Sequence, residues 1–393
     1  MTSVVRRRLG FTAAVVGSML MMAAASAPSP FYPDIQARLG VTAGGITAVF
    51  AIYAVALLAA LLTTGRLSDH VGRRSVLSVG FALLAASVIL FAVADSIETL
   101  LIARSLQGAA SGVLLPALSA TVTELERPTR PGSGAAWNSV APLAGLAVGA
   151  IAGGAALSVL PDALIVLSGL FAIAFAAISA AVWIAPETSP RIHGWSRSLR
   201  PRLSVAPSVT RHFWVAVPAL LAGWANGGLF LSLGASIVGT RFGVHAHLWQ
   251  GASVGLIAAT AAVAALVAPR VTTARSTTLL GTVGIAVGSG LSLVALATGA
   301  LPLYLVAVGI AGAGFGATFT GVLRSLVPVV SPHERSGLFA AIYTVSYLSF
   351  GLPAVAAGLL VPSLTLGTTA LWCAGTVVLL ATAATVLRVR LSA

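Results

Sequence analysis

The sequence has few charged residues and almost no cysteine. Of its 393 residues only 8% are charged, and they comprise nine acidic side chains, 22 arginines and no lysine. Soluble domains carry about 25% charged residues, so a water-solvated globular domain is excluded. The single cysteine, Cys373, excludes a disulfide framework and a cysteine-based zinc site. No phosphate-binding loop, nucleophile–base arrangement or set of metal ligands is found, so we expect neither an enzyme nor a cofactor.

Long apolar runs fill most of the chain, which is 58% hydrophobic with a mean hydropathy of +1.01. A helix needs about 20 apolar residues to cross a bilayer. The runs contain Gly, Ala and Ser throughout and lack the alternation of a β-barrel strand. We therefore predict an all-α integral membrane protein. Its twelve spans are expected near residues 10–32, 44–64, 76–94, 99–121, 134–158, 163–185, 213–237, 250–268, 277–299, 302–323, 337–360 and 366–387.

The arginines are distributed unequally between the two sides of this arrangement. Nineteen of the 22 fall on one side, Arg38 and Arg241 fall on the other, and Arg104 lies within a span. Because basic loops remain in the cytoplasm, both termini are predicted to be cytoplasmic in a multi-pass protein of the cell membrane. The net charge of +13 follows from this rule, so we expect the lipid bilayer and no nucleic acid as a partner.

The N-terminal segment also resembles a signal peptide. Arg6 to Arg8 precede an apolar stretch that ends at the small residues Ala25-Ser26-Ala27. This stretch is longer than the about 7 to 15 residues of a signal peptide, and Pro28 would directly follow the cut. Cleavage would also leave five spans in one half of the chain and six in the other. We therefore expect the helix to be retained.

The two halves of the chain repeat each other. A shift of 204 positions places Gly108 and Gly112 of span four on Gly312 and Gly316 of span ten. A shift of 203 places Ser133-Gly134 on Ser336-Gly337. Two parallel six-helix repeats around a midplane cavity are a transporter plan. We expect a monomer with an N-terminal half at 1–186, a cytoplasmic linker at 187–212 and a C-terminal half at 213–393.

The loop after span two carries a ten-residue pattern. It reads Gly65-Arg66-Leu67-Ser68-Asp69-His70-Val71-Gly72-Arg73-Arg74 and resembles the signature loop of the major facilitator superfamily. The resemblance implies that Asp69 holds a cytoplasmic gate closed through Arg73 or Arg74 and a helix end of the other half. The second half has Thr273 at the equivalent position, so the gate is expected to depend on the first half. Alternatively, the arginines only obey the positive-inside rule. The expected gating residues are Gly65, Arg66, Asp69, Gly72, Arg73 and Arg74.

Span four carries a second pattern, Arg104-Ser105-Leu106-Gln107-Gly108, which resembles the Arg-x-x-Gln-Gly motif of the same superfamily. The resemblance implies that Arg104 and Gln107 act in proton coupling or substrate handling. An arginine near the bilayer centre costs about 2.5 to 3.5 kcal/mol, which argues for an aqueous cavity or a partner. Alternatively, Arg104 reaches the outer interface and pairs there with Asp95 or Glu98.

The middle of every span lacks Asp and Glu. A carrier of cations needs a buried carboxylate to offset the charge of its substrate. The substrate is therefore predicted to be neutral, lipophilic or anionic. A carrier of protons needs a group that titrates, and the candidates are Asp34 at the end of span one and Glu98 near Arg104.

Spans five and eleven contain further glycine and proline patterns. The stretch from Gly145 to Gly154 is similar to a glycine-rich motif of drug and proton antiporters, but Ala150 stands where that motif has proline. Such spacing also serves close helix packing. In span eleven, Gly351-Leu352-Pro353 predicts a helix break. The expected packing glycines are Gly108, Gly112, Gly145, Gly149, Gly153 and Gly154.

Polar and aromatic residues within the spans indicate a mostly apolar, aromatic cavity. Each of them alone is also explained by packing or by a hydrogen bond between helices. The candidates are Tyr53, Asn138, Trp224, Asn226, Phe315, Tyr343 and Tyr347.

These features together resemble the major facilitator superfamily over nearly the whole chain. The resemblance implies a secondary transporter that works by alternating access. Its pattern favours a bacterial exporter of a small molecule, with proton antiport as the energy source. An uptake symporter or uniporter would share the architecture, and a non-transporting membrane receptor is a more distant alternative.

Overall fold

Twelve long helices dominate the structure, a computed structural model that describes residues 3–189, 191–194, 196, 199, 205–331 and 334–390. All twelve are long and apolar enough to cross a membrane, as predicted. A helix satisfies its own backbone hydrogen bonds, which lipid cannot do. The helices are α1 Ser3–Ser26, α2 Ala43–Thr64, α3 Arg73–Ala92, α4 Ile97–Glu124, α5 Ser133–Val159, α6 Ala163–Ala181, α7 Thr210–Arg241, α8 His247–Val271, α9 Ala274–Thr298, α10 Leu301–Leu326, α11 Arg335–Leu364 and α12 Leu366–Arg390.

Two predicted details of these helices are wrong. The first span was expected to continue to residue 32, but α1 ends at Ser26 and is followed by the 3₁₀ turn Ser29–Phe31 and the short helix Tyr32–Leu39. Prolines beside this point lack the N–H group that a continuing helix needs. The break predicted in span eleven is absent, since α11 runs from Arg335 to Leu364 with Pro353 inside it. Packed neighbours allow a transmembrane helix to contain proline.

The same helix pairs pack in each group of six helices. In the first group α1 packs on α5, α2 on α4, and α3 on α6. The pairs α7–α11, α8–α10 and α9–α12 repeat this arrangement in the second group. Equivalent contacts between helices in the two groups are also related by the predicted shift of 204 positions. A Cβ atom on Gly108 would collide with the backbone oxygen of Tyr53, and a Cβ atom on Gly312 would collide with that of Ile257.

The two groups of helices meet through α5 with α8 and through α2 with α11. Gly154 approaches the backbone of Gly251, and Gly358 approaches Thr47. These residues lie in the halves of their helices that are remote from the loop Gly65–Arg74. We call this end of the bundle the far side and the opposite end the loop side. The glycine approaches therefore close the bundle at the far side.

Part of the predicted linker, including residues 195, 197, 198 and 200–204, lies outside the described residues. Its beginning is attached to the loop side. Ser189 donates to the backbone oxygen of Asp69 at 3.0 Å, and the backbone N–H of Ile192 donates to the same oxygen at 3.1 Å. The first residues after α6 thus belong structurally to the first group of helices.

Candidate functional site

Arg104 of α4 is buried in the first group of helices, with 1% of its surface exposed. Its Nη1 donates to Gln107 Oε1 at 2.6 Å and to the Ala25 backbone oxygen at 3.3 Å. The guanidinium carbon lies 4.8 Å from the centre of the Tyr53 ring, a cation–π distance. The Nε atom has no hydrogen-bond partner. The ion pairs among the described residues involve other arginines, so this charge faces only carbonyl oxygens and one ring.

The end of α1 explains why an arginine is tolerated at this place. Ala24 and Ala25 belong to the last turn of α1, whose carbonyl groups have no partner within the helix. Gln107 Nε2 donates to the Ala24 oxygen at 3.0 Å, while Arg104 donates to that of Ala25. The negative end of the helix dipole also favours a nearby cation. The pairing of Arg104 with Asp95 or Glu98 at the interface is not observed.

An aromatic cluster lies in the second group of helices, on α7, α10 and α11. The ring of Trp224 is 5.5 Å from Phe315, 5.5 Å from Phe319, 5.2 Å from Tyr347 and 5.9 Å from Phe350. Several of these contacts are edge-to-face, the arrangement that aromatic rings prefer. The indole N–H has no hydrogen-bond partner. We call these five residues the aromatic wall.

Tyr53 connects Arg104 to the aromatic wall. Tyr53 and Tyr347 lie in one buried cluster, against which Trp224 and Tyr343 also pack. The rings of Tyr343 and Tyr347 are 6.1 Å apart on one face of α11. The structure therefore brings together seven of the residues predicted for the cavity or for substrate handling. They are Tyr53, Arg104, Gln107, Trp224, Phe315, Tyr343 and Tyr347.

Phe319 and Phe350 were not predicted, although a signal for both exists. Phe319 follows Phe315 by four positions, and Phe350 follows Tyr347 by three. Such spacings place side chains on the same face of a helix. The predicted set contained other polar and aromatic residues of the spans but not these two phenylalanines.

Two asparagines predicted for the cavity lie elsewhere. Asn138 of α5 donates to the Ser119 backbone oxygen at 3.0 Å and to Thr123 Oγ1 at 3.2 Å, which joins α5 to α4 near the loop side. Asn226 of α7 follows Trp224 by two positions, and side chains two apart on a helix point in nearly opposite directions. It lines a different cleft, inside the second group of helices.

The two predicted proton carriers do not meet Arg104. Asp34 lies in the short helix after α1, and Glu98 lies in the first turn of α4. Both side chains are exposed. Neither of them lies in the cluster that joins Arg104 to the aromatic wall.

The predicted signature loop forms a charged cluster at the loop side. Arg73 pairs with Asp69 at 2.5 Å, as predicted, and with Glu124 at the end of α4 through donors at 2.9 and 3.3 Å. Glu187 accepts from the backbone N–H groups of Arg73 and Arg74, at 2.9 and 3.4 Å. This carboxylate therefore caps α3. The recorded partners belong to the first group of helices and the residues after it, for each of Asp69, Arg73 and Glu124.

The other residues of this loop have local roles. Arg74 Nη1 donates to the backbone oxygens of Trp183 and Ala185, both at 3.1 Å. Gly72 has a φ of +114°, which L side chains rarely adopt, so the turn before α3 requires glycine. Gly65 ends α2, and Arg66 precedes the short helix Leu67–Val71.

The predicted packing glycines lie where helix backbones approach each other. Gly112 of α4 faces the backbone oxygen of Leu57 in α2, as Gly108 faces that of Tyr53. In α5, Gly145, Gly149 and Gly153 face successive backbone oxygens of α1 and its C-terminal end. These glycines therefore pack helices within one group, whereas Gly154 packs against the other group.

A lateral cleft on the outside of the bundle borders one residue of the aromatic wall. It lies between α2 and α11, encloses ≈ 590 Å³ counting its open mouth, and has Tyr347 in its lining. The lining is apolar apart from that hydroxyl, with Ile52, Val55, Leu101 and Leu348 among its members. No charged residue is among the residues that line this cleft.

Comparison with protein families identifies a match over most of the chain. The model of the Major Facilitator Superfamily matches residues 14–354. An uncharacterized transporter of this type from Mycobacterium tuberculosis is 28% identical over 166 residues, which is 39% of this chain and 28% of that protein. A puromycin resistance protein of Streptomyces alboniger is 31% identical over 152 residues, 38% of this chain and 30% of that protein.

A triacylglyceride transporter of Mycolicibacterium smegmatis is 36% identical over 95 residues, 23% of this chain and 17% of that protein. The matched segments thus span less than a third of the length of these curated relatives.

Solved structures of similar fold cover nearly the whole chain. A bacterial homolog of the human lysosomal transporter Spinster, in an inward-facing and unoccupied conformation, has a TM-score of 0.77 at 13% identity. The match covers 98% of this chain and 96% of that one. The human organic anion transporter MFSD10 has a TM-score of 0.70 at 18% identity, over 97% of this chain and 99% of that one. At these identities the likeness shows the fold.

Proposed function

Because the chain belongs to the major facilitator superfamily, we propose that this membrane transporter exports a neutral, lipophilic or anionic small molecule by alternating access. The two groups of helices would rock about a central site and expose it to each side of the membrane in turn. The proposed energy source is the proton gradient. The proposal places the protein in the cell membrane, with both termini in the cytoplasm.

The environment of Arg104 carries the substrate proposal. Its guanidinium is buried without a carboxylate, and its Nε has no partner. An anionic or carbonyl group of a substrate offers the hydrogen-bond acceptor that the Nε atom of this arginine lacks. A cationic substrate would instead add repulsion between like charges. The aromatic wall beside Tyr53 offers contact to the apolar body of the same molecule. The lateral cleft supports a lipophilic substrate by giving it a path from the membrane.

Two relatives support export of a lipophilic molecule. One is a puromycin resistance protein, and resistance is consistent with removal of a drug from the cell. Another is a triacylglyceride transporter. The resemblance of the loop Gly65–Arg74 to exporters supports the same direction and proton antiport. Asp34 and Glu98, whose side chains are exposed, are the candidate proton carriers.

The binding experiment measures the thermal unfolding of purified protein against a panel of neutral, anionic and cationic compounds. A ligand at 100 times its dissociation constant stabilises the folded state by about 2.7 kcal/mol. We expect neutral or anionic compounds to stabilise the wild type and to lose that effect in Arg104→Ala. The matched control is Arg241→Ala, which removes an exposed arginine. This variant should still be stabilised by the same compounds. Stabilisation by cationic compounds alone would contradict the proposed substrate class.

The transport experiment uses the stabilising compounds in liposomes that contain a pH-sensitive dye. Export by proton antiport predicts that substrate movement in one direction moves protons in the other. Accumulation of the substrate in intact cells would instead indicate uptake. Transport that is unchanged when the pH gradient is removed would exclude proton coupling. Asp34→Asn and Glu98→Gln then test the two candidate carriers separately.

A further inference from the structure

A second cleft lies inside the group α7–α12, on the side of α7 that faces away from the aromatic wall. It is bounded by α7, α9, α12 and the start of α10, and encloses ≈ 470 Å³ counting its open mouth. Along α7 its lining extends from Asn226 to Ile237. At 1.5 Å per residue this is about 16 Å, which is about half the thickness of a hydrocarbon core.

Three polar side chains in this cleft have no hydrogen-bond partner. They are Asn226 at its Nδ2, Ser289 at its Oγ and Tyr304 at its hydroxyl, and each residue is at most 3% exposed. Ser292, which also lines the cleft, donates to the Gly288 backbone oxygen at 3.0 Å. Buried polar groups without partners are rare in native proteins, so three in one cleft require an explanation.

The first group of helices has an equivalent cleft, which we call the first cleft. Its comparison with the second cleft shows that the internal repeat does not by itself require buried polar groups without partners. That cleft lies among α1, α3, α4 and α6 and encloses ≈ 320 Å³ on the same measure. Gln107, one of its two polar lining residues, donates to the Ala24 oxygen and accepts from Arg104. The amide group is therefore satisfied in the first cleft, whereas that of Asn226 is not satisfied in the second.

We propose that the second cleft is a ligand site for one neutral, mainly apolar small molecule that enters from the membrane and carries a hydrogen-bond acceptor, such as an ester carbonyl. No charged side chain lines the cleft, so a charged ligand would be desolvated without compensation. The rest of the lining is apolar, including Leu229, Phe230 and Leu296. Beside the cleft, α12 exposes Trp372 and Leu379 at 67% and 72%, so the surroundings of the mouth are apolar as well. This site is separate from the central site of the proposed transport cycle.

Cys373 provides a reporter for this site. It lines the cleft, is partly exposed, and is the single cysteine of the sequence. The experiment measures its alkylation by N-ethylmaleimide in purified protein, by mass spectrometry, with and without methyl laurate. Tridecane, which has no acceptor, and dilauroyl phosphatidylcholine, which is a membrane lipid, are compared with it. At ten times its dissociation constant a ligand leaves about one site in eleven free, so methyl laurate should slow alkylation about tenfold.

Matched variants test the role of the polar groups. Asn226→Leu removes the amide at similar volume, and Ser289→Ala removes a hydroxyl without a partner. Each should raise the concentration of methyl laurate needed for half protection, by up to about tenfold for one hydrogen bond. Ser292→Ala removes a hydroxyl that is already satisfied on the same helix and should leave that concentration unchanged.

The proposal is overturned if methyl laurate and tridecane protect Cys373 equally, because the polar groups would then bind water alone. Unchanged protection in Asn226→Leu and Ser289→Ala has the same meaning. Protection by phosphatidylcholine alone would overturn the assignment to a small molecule.

If Cys373 does not react, the midpoint of thermal unfolding replaces alkylation as the measurement of binding. Methyl laurate must then raise the midpoint of the wild type more than that of Asn226→Leu. As a location control, Leu167→Cys in the Cys373→Ser background reports on the first cleft and should not be protected.

Discussion

Arg104 keeps its position inside the bundle because several weak partners replace a carboxylate. The backbone oxygen of Ala25, at the end of α1, and the amide oxygen of Gln107 accept its hydrogen bonds, and the Tyr53 ring covers one face. A cation–π contact is worth about 2 kcal/mol when desolvated, and a helix C-terminus contributes up to about 2 kcal/mol. These partners hold the arginine without neutralising its charge, as the proposed binding of an anionic group requires.

Arg73 shows the opposite arrangement, in which one arginine has two carboxylate partners, and it leads to a stability prediction. Glu124 accepts two hydrogen bonds from it, whereas Asp69 makes one contact within its own short segment. Both carboxylates are about one-third exposed, so solvent screens both pairs. We expect Glu124→Gln to lower the free energy of unfolding by about 1 to 2 kcal/mol, and Asp69→Asn by less than about 1 kcal/mol.

Unfolding of both variants in the same detergent, followed by circular dichroism, measures this difference. Glu126→Gln is the control on the neighbouring loop, because Glu126 accepts from the backbone of Gly132 and Gly134 and not from Arg73. A larger loss in Asp69→Asn than in Glu124→Gln would show that the contact within the loop dominates the cluster.

The sequence predicts local partners at the residue scale and misses distant ones. Asp69 and Arg73 are four positions apart, which makes their pairing predictable. Glu124 is 51 positions from Arg73 and meets it only because α3 and α4 pack side by side. Whether Asn226 faces the aromatic wall or the cleft behind it depends on the rotation of α7 in the bundle. The nearly uniform apolarity of that helix does not encode this rotation.

Helices in this protein approach each other where glycine allows it, and α5 provides the test at the scale of elements. A Cβ atom on Gly149 would collide with the backbone oxygen of Ala23, which cannot move without displacing α1. Gly169 of α6 has no such neighbour within 4 Å. We expect Gly149→Ala to lower the free energy of unfolding by about 2 kcal/mol or more through overpacking. Gly169→Ala should be neutral or slightly stabilising.

Unfolding of the two variants in parallel measures this contrast, since both replace glycine by alanine in helices of the same group. Equal stabilities would show that α1 and α5 separate at little cost.

The helices themselves were predictable, because their length and apolarity determine them. The predicted break at Pro353 was wrong because packing against α2 and α7 supports α11 through the proline, and a single span cannot reveal its neighbours.

At the scale of the whole molecule, the proposed alternating access requires a second arrangement of the two groups of helices besides the one in this structure. The approaches of Gly154 to Gly251 and of Gly358 to Thr47 join the two groups of helices at the far side. At the loop side, the recorded partners of Asp69 belong to its own group. We expect the contact of Asp69 with the other group, which the family resemblance implies, to form in that second arrangement. The distribution of the arginines predicts that the loop side faces the cytoplasm, so we expect this arrangement to correspond to the inward-facing position.

A disulfide between the two groups should hold the protein in this position. A Cβ atom on Gly351 of α11 would lie 3.6 Å from the Cβ atom of Ala51 in α2, within the range of a disulfide. In a Cys373→Ser background, Ala51→Cys combined with Gly351→Cys should form the bond on oxidation. We expect transport in liposomes to stop while the bond is present and to return with a reducing agent. Each cysteine alone should leave transport unaffected by oxidation. Full transport in the oxidised double variant would show instead that α2 and α11 stay together, so that the movement would have to occur between α5 and α8.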